Sequence, residues 1–417
     1  MDAFRIQGGR PLRGEISVSG SKNASLPIMV AALLAEGESV LFGAPDLVDV
    51  RTLGQLLAHM GAGVRREGRE TKIDATRIDK HEAPYDLVRT MRASFLVIGP
   101  LLARFGRARV SLPGGCAIGA RPVDQHLKAL EALGATLHIS HGYVEAETKG
   151  LCGAEITFDF PTVGGTENLM IAASLAKGQT VLNNAACEPE IVDLALALGE
   201  MGVRIEGAGT ERLVVHGTDK VRPYRHQVVC DRIEFGTFLV AGALAGEPLT
   251  ILGGVADHQA ALVDKLKKSG ADIAIDGPRA TVTRAGAIRP VDLRTAPYPG
   301  FPTDMQAQLM ALMTVADGVS VITETIFENR FMHVPELNRL GADIRVDGGK
   351  AVVHGVKTLS GSTVMATDLR ASAGLVLAGL VAEGETVVRR IYHLDRGYEH
   401  LADKLIAVGA NIQRFRE

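Results

Sequence analysis

The chain has 417 residues, of which 46% are hydrophobic and 22% charged, a composition typical of a globular protein. Its length exceeds the size at which one hydrophobic core keeps growing, so we expect two or three domains. A net charge of −3, an aromatic content of 4% and the lack of tryptophan argue against a surface built for nucleic acid. Any anionic ligand must therefore be held by cations that the fold gathers locally.

The first residues, MDAFRIQGG, lack the basic and apolar regions of a secretory signal. No apolar run reaches the ~18 residues that a membrane-spanning helix needs. We therefore expect a cytoplasmic protein with reduced cysteines. Three of the four cysteines, Cys152, Cys187 and Cys230, stand in apolar or strand-like contexts that predict buried, inert thiols, whereas Cys116 does not.

Two interleaved series of glycines divide the chain into six repeats. Each glycine of the first series ends a helix-like apolar stretch and precedes a short strand; the series is Gly61, Gly134, Gly202, Gly270, Gly341 and Gly409. Each glycine of the second series follows an Ala/Leu-rich stretch and precedes a β-branched run; the series is Gly37, Gly106, Gly178, Gly246, Gly318 and Gly384. A period of about 70 residues indicates one supersecondary unit used six times. Two unrelated α+β domains with chance glycine spacing are the disfavoured alternative.

The six repeats predict two domains of three repeats each. We expect residues 21–229 to form one domain, and residues 1–20 and 230–417 to form the other. The first 20 residues contain two strand-like segments, AFRIQGG and RGEISVSG, which we expect to complete sheets of the second domain. Within the fifth repeat, residues 345–347 and 351–353 predict a hairpin across Gly348 and Gly349.

The segment GSKNAS places Lys22 and Asn23 just before an apolar helix. Free backbone N–H groups at a helix N-terminus, together with a cation, predict an anion site. The alternative is that Asn23 or Ser25 is an ordinary N-cap and Lys22 a surface charge.

The segment LPGGCAIGARPVDQ surrounds Cys116 with glycines and prolines, which predict an exposed loop. A thiol with a pKa of about 8.5 is mostly protonated at neutral pH and can act as an acid. A neighbouring cation, Arg121, would favour the thiolate when it is needed. We interpret the loop as a mobile lid that carries a catalytic thiol, with an incidental loop cysteine as the alternative.

Later segments combine carboxylates with arginines. The prolines of YPGFPTDMQ lead to a helix predicted to start near Asp304, which is either an N-cap or a carboxylate base. Arg330 in FENRF, Arg370 in DLRAS and Arg396 in HLDRG each stand close to a carboxylate in sequence. Taken singly, each of these arginines is more simply explained by a structural ion pair.

Taken together, the cations suggest a common ligand. The three arginines, with Lys22, Arg92 and Arg121, fall between elements of different repeats. If they converge, they suit a substrate pair with several phosphate and carboxylate charges. We expect no metal and no cofactor, because the sequence offers no His/Cys ligand cluster and His138 and His141 fall in a polar hairpin.

These motifs resemble those of enolpyruvyl transferases of the UDP-N-acetylglucosamine 1-carboxyvinyltransferase family. The resemblance covers the whole chain and is carried, in the family's order, by GSKNAS, PGGCAIGARPVDQH, DFPTVGGTEN, YPGFPTDMQAQ, TETIFENRFMH, TDLRASA and HLDRGYEHL. It implies an inside-out α/β barrel of two domains, each with three β-α-β-α-β-β units. It also implies transfer of the enolpyruvyl group of phosphoenolpyruvate to the 3-hydroxyl of UDP-N-acetylglucosamine, with release of phosphate, as the first committed step of peptidoglycan synthesis.

The resemblance also implies roles for single residues. Lys22 and Asn23 match the phosphoenolpyruvate-binding pair. Cys116 matches the general acid that also forms a covalent phospholactoyl adduct and that fosfomycin alkylates. Arg396 matches a cation that contacts phosphoenolpyruvate or its product and rearranges on lid closure. Asp304 would take the proton of the sugar hydroxyl. The positions that match the nucleotide-sugar site are Arg92, Arg121, Pro122, Val123, Asp124, Gln125, Thr162, Val163, Gly164, Asp304 and Ile326, and we expect Arg330 and Arg370 to bind substrate as well. Some members have a basic residue near Phe160, where this chain has none. The substrates are small molecules, and neither a nucleic acid, a membrane nor an obligate protein partner is implied.

Two other functions stay open. The sister transferase that acts on shikimate 3-phosphate shares the fold and the chemistry, but the Cys116 loop and ARPVDQH argue against it. A non-catalytic repeat scaffold that binds a nucleotide sugar would release no phosphate from phosphoenolpyruvate.

Overall fold

A computed structural model describes residues 2–89, 91–113, 123–284 and 286–416. The chain divides into two compact units, with divisions between Ser19 and Gly20 and between Val229 and Cys230. We call the described part of 20–229 unit one, and residues 2–19 with the described part of 230–416 unit two. Cys116, Arg121 and Pro122 lie outside the described residues. Within the described ranges, none of the helices has the length and apolar character that crossing a membrane requires.

Unit one follows two strands of unit two, β1 (Asp2–Gln7) and β2 (Leu12–Ser17). Its elements are α1 (Lys22–Ala31), β3 (Glu38–Phe42), α2 (Val48–His59), β4 (Gly63–Glu67), β5 (Glu70–Asp74), β6 (Glu82–Ala83), α3 (Tyr85–Val88), α4 (Ile98–Phe105), β7 (Arg107–Ser111), α5 (Asp124–Ala132), β8 (Thr136–Ser140), β9 (Tyr143–Glu147), β10 (Glu155–Thr157), α6 (Val163–Ala173), β11 (Gln179–Asn183), α7 (Pro189–Glu200), β12 (Arg204–Glu206), β13 (Arg212–His216) and β14 (Arg225–Gln227). Short 3-10 helices cover Ala32–Leu34 and Arg92–Val97.

Unit two contains α8 (Arg232–Ala245), β15 (Gly246–Leu252), α9 (Ala260–Ser269), β16 (Asp272–Asp276), β17 (Arg279–Thr283), β18 (Leu293–Arg294), α10 (Gln306–Met313), β19 (Val319–Thr323), α11 (Val334–Arg339), β20 (Asp343–Asp347), β21 (Lys350–His354), β22 (Thr363–Met365), α12 (Leu369–Val381), β23 (Glu385–Arg389), α13 (Leu401–Ala407) and β24 (Asn411–Arg416). Short 3-10 helices cover Ala256–Gln259, Thr303–Met305 and Ile391–Arg396.

The described strands form six four-stranded sheets with one shared pattern, in which an edge strand runs parallel to its neighbour and the next two pairings are antiparallel. Unit one contains the sheets β14-β3-β5-β4, β6-β7-β9-β8 and β10-β11-β13-β12. Unit two contains β2-β15-β17-β16, β18-β19-β21-β20 and β22-β23-β1-β24. The predicted six-fold repetition is therefore confirmed.

In each unit, strands from one end of its sequence complete sheets whose other strands lie far away in the sequence. In unit two, β1 lies between β23 and β24 and β2 pairs with β15, which confirms the expected role of the first 20 residues. In unit one, β14 returns to pair with β3 of the first repeat.

Each unit has its helices at the centre and its sheets outside. One helix per repeat is buried around most of its circumference; these are α1, α4 and α6 in unit one and α8, α10 and α12 in unit two. The sequence of α8, RIEFGTFLVAGALA, shows the reason, because a helix that is apolar all round has no face suited to water. Strands such as β21 alternate buried and half-exposed residues and cover these helices. This arrangement is the inside-out α/β barrel that the resemblance implied.

The glycine series behave as predicted with one exception. All six glycines of the first series have positive φ, from 88° at Gly341 to 108° at Gly409, and end helices as expected. In the second series Gly246 alone has φ of −69°, because α8 runs into β15 without a left-handed stop. The predicted hairpin is confirmed, with Val346 paired to Ala351 between β20 and β21.

The prediction of buried thiols outside the Cys116 loop was wrong. Cys152 is exposed, and Cys187 and Cys230 are half-buried. Cys152 forms an isolated bridge to Lys177 at the margin of its sheet, so its strand-like sequence does not place it in the core. His138 and His141 are exposed, as predicted, and form part of the β8–β9 hairpin or its turn.

Candidate active site

Helix α1 begins at Lys22, and Ser21 is its N-cap. The Ser21 hydroxyl accepts a hydrogen bond from the backbone N–H of Ala24 at 3.2 Å, and the Ser25 hydroxyl donates to the Ser21 carbonyl at 2.7 Å. The alternative that Asn23 or Ser25 caps the helix was therefore wrong. Because Ser21 supplies the cap, half-buried Asn23 lies in the first turn with its side chain not committed to capping.

Lys22 is a buried cation rather than a surface charge. Its Nζ lies 3.4 Å from Oδ2 of Asp49 in α2, and both side chains are at least nine-tenths buried. An ammonium group fixed at a helix N-terminus adds to the positive end of the helix dipole. This end of α1 is consequently suited to an anion.

A second group of candidate residues lies where α5 and α6 begin. The Gln125 side-chain oxygen accepts a hydrogen bond from the Asp159 backbone N–H at 2.8 Å, which ties the start of α5 to the segment before α6. His126 Nδ1 and Asn168 Nδ2 lie 3.1 Å apart and join the two helices directly. The first turns of α5 and α6 are therefore neighbours.

The start of α6 carries Thr162, Val163 and Gly164. Thr162 is the N-cap, because its hydroxyl accepts from the backbone N–H of Gly165 at 3.3 Å. A Cβ at Gly164 would lie 3.4 Å from the His126 ring, so glycine lets the two helices approach closely here. Val123 precedes α5 and Asp124 is its first residue.

Arg92 belongs to the same group. It starts the 3-10 helix Arg92–Val97, whose Phe95 ring meets the His126 ring edge-on at 5.5 Å. Burial and the positive charge of Arg92 lower the pKa of His126 to about 3. His126 is consequently neutral at physiological pH and adds no charge to this part of unit one.

In unit two, Asp304 is held between two arginines. Arg330 Nη2 donates to Asp304 Oδ1 at 2.7 Å, and Arg370 Nε donates to Oδ2 at 3.2 Å. Burial opposes ionisation of Asp304, but the charges of Arg330 and Arg370 outweigh it and hold its pKa well below the ordinary value. The cluster therefore carries a net charge of about +1 at neutral pH, one carboxylate against two guanidinium groups.

Arg370 is fixed by a buried polar network. Its guanidinium carbon lies 5.2 Å from the centre of the Tyr398 ring. The Tyr398 hydroxyl lies 3.0 Å from Thr237 Oγ1 and accepts from Gln308 Nε2 at 3.1 Å. Arg370 Nη1 is buried and has no hydrogen-bond partner among the described residues. This buried donor and the net positive charge make the cluster suited to an anion.

The ion pair suggested by the nearest carboxylate in sequence was wrong for Arg370. Arg370 pairs with Asp304, while its sequence neighbour Asp368 caps α12 by accepting from the backbone N–H groups of residues 370 and 371. Asp395, the sequence neighbour of Arg396, pairs with Arg414. Arg396 ends the 3-10 helix Ile391–Arg396 and is half-buried.

The structure thus brings together two sets of predicted residues. In unit one these are Arg92, Val123, Asp124, Gln125, Thr162, Val163 and Gly164. In unit two, Asp304, Arg330 and Arg370 form one cluster, and half-buried Ile326 follows β19 on the segment that leads to Arg330. Sequence reasoning missed His126, Gln308 and Tyr398. Each lies within a motif that carries the resemblance (PVDQH, DMQAQ and DRGYEHL), so the signal was present but no role was assigned to it.

Comparison with known proteins agrees with this fold and these motifs. The solved enolpyruvyl transferase NikO from Streptomyces tendae superimposes with a TM-score of 0.90 at 29% identity, covering 99% of this chain and 98% of that one. The model of the family described as EPSP synthase (3-phosphoshikimate 1-carboxyvinyltransferase) matches residues 6–405. The fold is therefore that of the enolpyruvyl transferases.

Curated relatives narrow this class. The UDP-N-acetylglucosamine 1-carboxyvinyltransferase of Anaeromyxobacter dehalogenans (strain 2CP-C) is 61% identical, and that of Trichlorobacter lovleyi is 58% identical; in both cases the alignment covers 100% of each chain. The chain belongs to the family of UDP-N-acetylglucosamine 1-carboxyvinyltransferases.

Proposed function

We propose that the protein transfers the enolpyruvyl group of phosphoenolpyruvate to the 3-hydroxyl of UDP-N-acetylglucosamine and releases phosphate. The observation that carries this proposal is the 61% identity, over the full length of both chains, to a relative with that name. The buried cations support it, because each substrate carries several negative charges. The same assignment makes the protein the first committed enzyme of peptidoglycan synthesis, acting on small molecules in the cytoplasm.

The reaction needs an acid, a base and cations. Addition to an enol phosphate requires a proton at C3 of phosphoenolpyruvate, which we assign to the Cys116 thiol. The sugar hydroxyl then attacks C2 and gives up its proton, which we assign to Asp304. The tetrahedral ketal loses phosphate when C3 is deprotonated again. Lys22 and Arg396 stabilise the negative charge of the departing phosphate.

The pKa of Asp304 bears on its role as a base. With Arg330 and Arg370 both on its carboxylate, Asp304 holds a proton weakly. An anion that draws either arginine away removes part of this stabilisation and raises the pKa of Asp304. We propose that the anionic substrate pair has this effect, so that Asp304 becomes a better base only when the site is filled.

The other candidate residues bind the substrates. We assign Lys22 and Asn23 to phosphoenolpyruvate. We assign the nucleotide sugar to residues 121–125, 162–164, Arg92 and Ile326, because α5 and α6 begin side by side and helix N-termini are suited to anions. We also assign Arg330 and Arg370 to binding anionic groups of the substrates.

Phosphate release in the presence of phosphoenolpyruvate tests the activity. We expect release with UDP-N-acetylglucosamine and none with shikimate 3-phosphate. Release with shikimate 3-phosphate but not with UDP-N-acetylglucosamine would assign the sister reaction, the one after which the matching family model is named. No release with either acceptor would favour a non-catalytic binding protein.

Alkylation by fosfomycin tests the thiol. We expect one adduct, at Cys116, after incubation with the sugar nucleotide, and we expect Cys116→Ser to take none and to turn over at least 100-fold more slowly, roughly the contribution of a general acid. Exposed Cys152 is the internal control, since it is the accessible competitor among the described thiols. An adduct at Cys152, or unchanged turnover by Cys116→Ser, would remove Cys116 from the reaction.

A further inference from the structure

Glu324 follows β19 directly, and its side chain is buried. Its Oε1 accepts hydrogen bonds from the Thr295 hydroxyl at 2.8 Å, the Ile326 backbone N–H at 2.8 Å and the Phe327 backbone N–H at 3.3 Å. The relative exposure of the residue is only 7%. This oxygen therefore shapes the start of the segment that runs from β19 to Arg330.

The second carboxylate oxygen reaches a different part of the chain. Glu324 Oε2 accepts from the Thr303 hydroxyl at 2.8 Å. Thr303 is the first residue of the 3-10 turn Thr303–Met305, and Asp304 is the next. One buried carboxylate thus joins the turn that carries Asp304 to the segment that carries Ile326 and Arg330.

Glu324 touches none of the arginines at Asp304 in the described structure, so its effect on that carboxylate is indirect. A general base must lie within hydrogen-bond reach of the proton that it takes, and a displacement of about 1 Å can lower the rate about 100-fold. A turn as short as Thr303–Met305 has few hydrogen bonds of its own to hold it. Its anchor to Glu324 is therefore expected to matter for the rate more than for folding.

We propose that Glu324 is a positioning residue that acts through Thr303 to hold Asp304 in place for proton transfer. The proposal rests on the proposed function, because it assigns Asp304 the role of base. It also predicts that the Thr303 hydroxyl, rather than the bulk of the threonine side chain, is what the reaction requires.

Two substitutions of Thr303 separate these possibilities. Thr303→Val keeps the shape and loses the hydroxyl, whereas Thr303→Ser keeps the hydroxyl and loses a methyl group. We expect Thr303→Val to lower kcat about 10- to 100-fold with KM for phosphoenolpyruvate within about twofold, because Asp304 is misplaced rather than lost. We expect Thr303→Ser to stay within about threefold of the wild type, as the anchoring hydrogen bond remains.

Thr325→Val is the matched control. The Thr325 hydroxyl donates to the Thr295 carbonyl at 2.6 Å in the same region but does not bond to Glu324 or the turn. We expect this variant to keep the wild-type kcat. If Thr303→Val does not fold, Glu324→Gln serves instead, since the amide keeps one oxygen for the backbone N–H groups and weakens the bond to Thr303.

The ordering of the variants decides the proposal. Equal kcat for Thr303→Val and the wild type, or Thr303→Ser slower than Thr303→Val, would overturn it. The ratios are taken with whichever acceptor the wild type turns over, so a wrong substrate assignment leaves them interpretable. If the wild type uses neither acceptor, the rate of amide hydrogen exchange at residues 303–305 is measured instead. Equal exchange rates in Thr303→Val and Thr303→Ser would show that the Thr303–Glu324 hydrogen bond does not hold this turn, and would reject the proposal.

Discussion

Two charge clusters, one in each unit, have mirrored compositions. In unit two, the Asp304 carboxylate lies between Arg330 and Arg370. In unit one, the imidazole of His226 lies between two carboxylates, with Nε2 2.9 Å from Asp193 Oδ1 and Nδ1 2.9 Å from Glu200 Oε1. Each cluster thus places one ionisable group between two of opposite charge.

The clusters differ in what their outer groups do. The second oxygens of Asp193 and Glu200 accept backbone N–H groups of Val229 and Arg225, so they fasten α7 to β14 and the segment after it. In the Asp304 cluster, by contrast, a buried nitrogen of Arg370 has no partner among the described residues. A closed cluster stabilises the fold, whereas a cluster with an unused donor and excess positive charge is suited to bind an anion.

The largest expected effect is on activity and separates the two clusters. Asp304→Asn keeps the shape but removes the proton acceptor, and we expect it to lower kcat about 100- to 10,000-fold in the phosphate-release assay. His226→Gln, a change of similar size in the other cluster, should leave kcat within about twofold. Comparable losses in both variants would contradict the division into a reactive and a structural cluster.

The second expected effect is on stability and falls on the other cluster. His226→Ala leaves Asp193 and Glu200 facing each other without the imidazole, and we expect a loss of about 3 kcal/mol in the free energy of unfolding. His216→Ala is the matched control, because His216 makes a contact of the same kind, 3.0 Å from Glu206, but at the surface. We expect it to cost at most about 0.5 kcal/mol. Urea titration measures both, and equal losses would mean that burial of the histidine is irrelevant.

Much of the fold could be predicted from the sequence because its signals are local. A glycine that ends a helix acts through its own φ, so six such glycines at regular spacing predicted the repeats and their helix ends. The exception at Gly246 arises from a helix that continues into a strand, which no local pattern marks. The prediction that Cys152 is buried was wrong for a related reason, since a strand-like sequence does not distinguish the margin of a sheet from its interior.

Less of the site could be predicted, because its partners lie far apart in sequence. Arg370 is two residues from Asp368 in sequence but bonds to Asp304, 66 residues away. Residues two apart on a helix point in different directions, so the nearest carboxylate in sequence is a poor guide to the partner. The residues themselves suggested an anion site at Lys22 and a base at Asp304, and the resemblance supplied the substrates, while Glu324 emerged only from the folded contacts.

A pH titration sharpens the comparison further. Burial alone would lower the pKa of His226, but its hydrogen bonds to Asp193 and Glu200 outweigh burial and raise it. A raised folded-state pKa means that this stabilisation is fully present below the unfolded value of about 6.5 and is lost as pH rises through the folded pKa. We therefore expect the difference in unfolding free energy between the wild type and His226→Gln to narrow as pH rises above about 6.5. A difference that widens with pH would reverse the assigned sign.

The smallest expected effect tests whether burial, rather than pairing of opposite charges alone, determines how much a charged group contributes to the free energy of unfolding. Lys268 and Asp264 form an ion pair at 2.7 Å on the surface of α9, with more than half of each side chain exposed. Water and salt screen such a pair, so Lys268→Ala should change the free energy of unfolding by no more than about 0.5 kcal/mol. The same substitution should leave kcat unchanged. If Lys268→Ala lowered the free energy of unfolding as much as His226→Ala, attraction between opposite charges would be enough to stabilise the fold without burial. The difference between buried and exposed groups would then not explain the stabilising effect of His226.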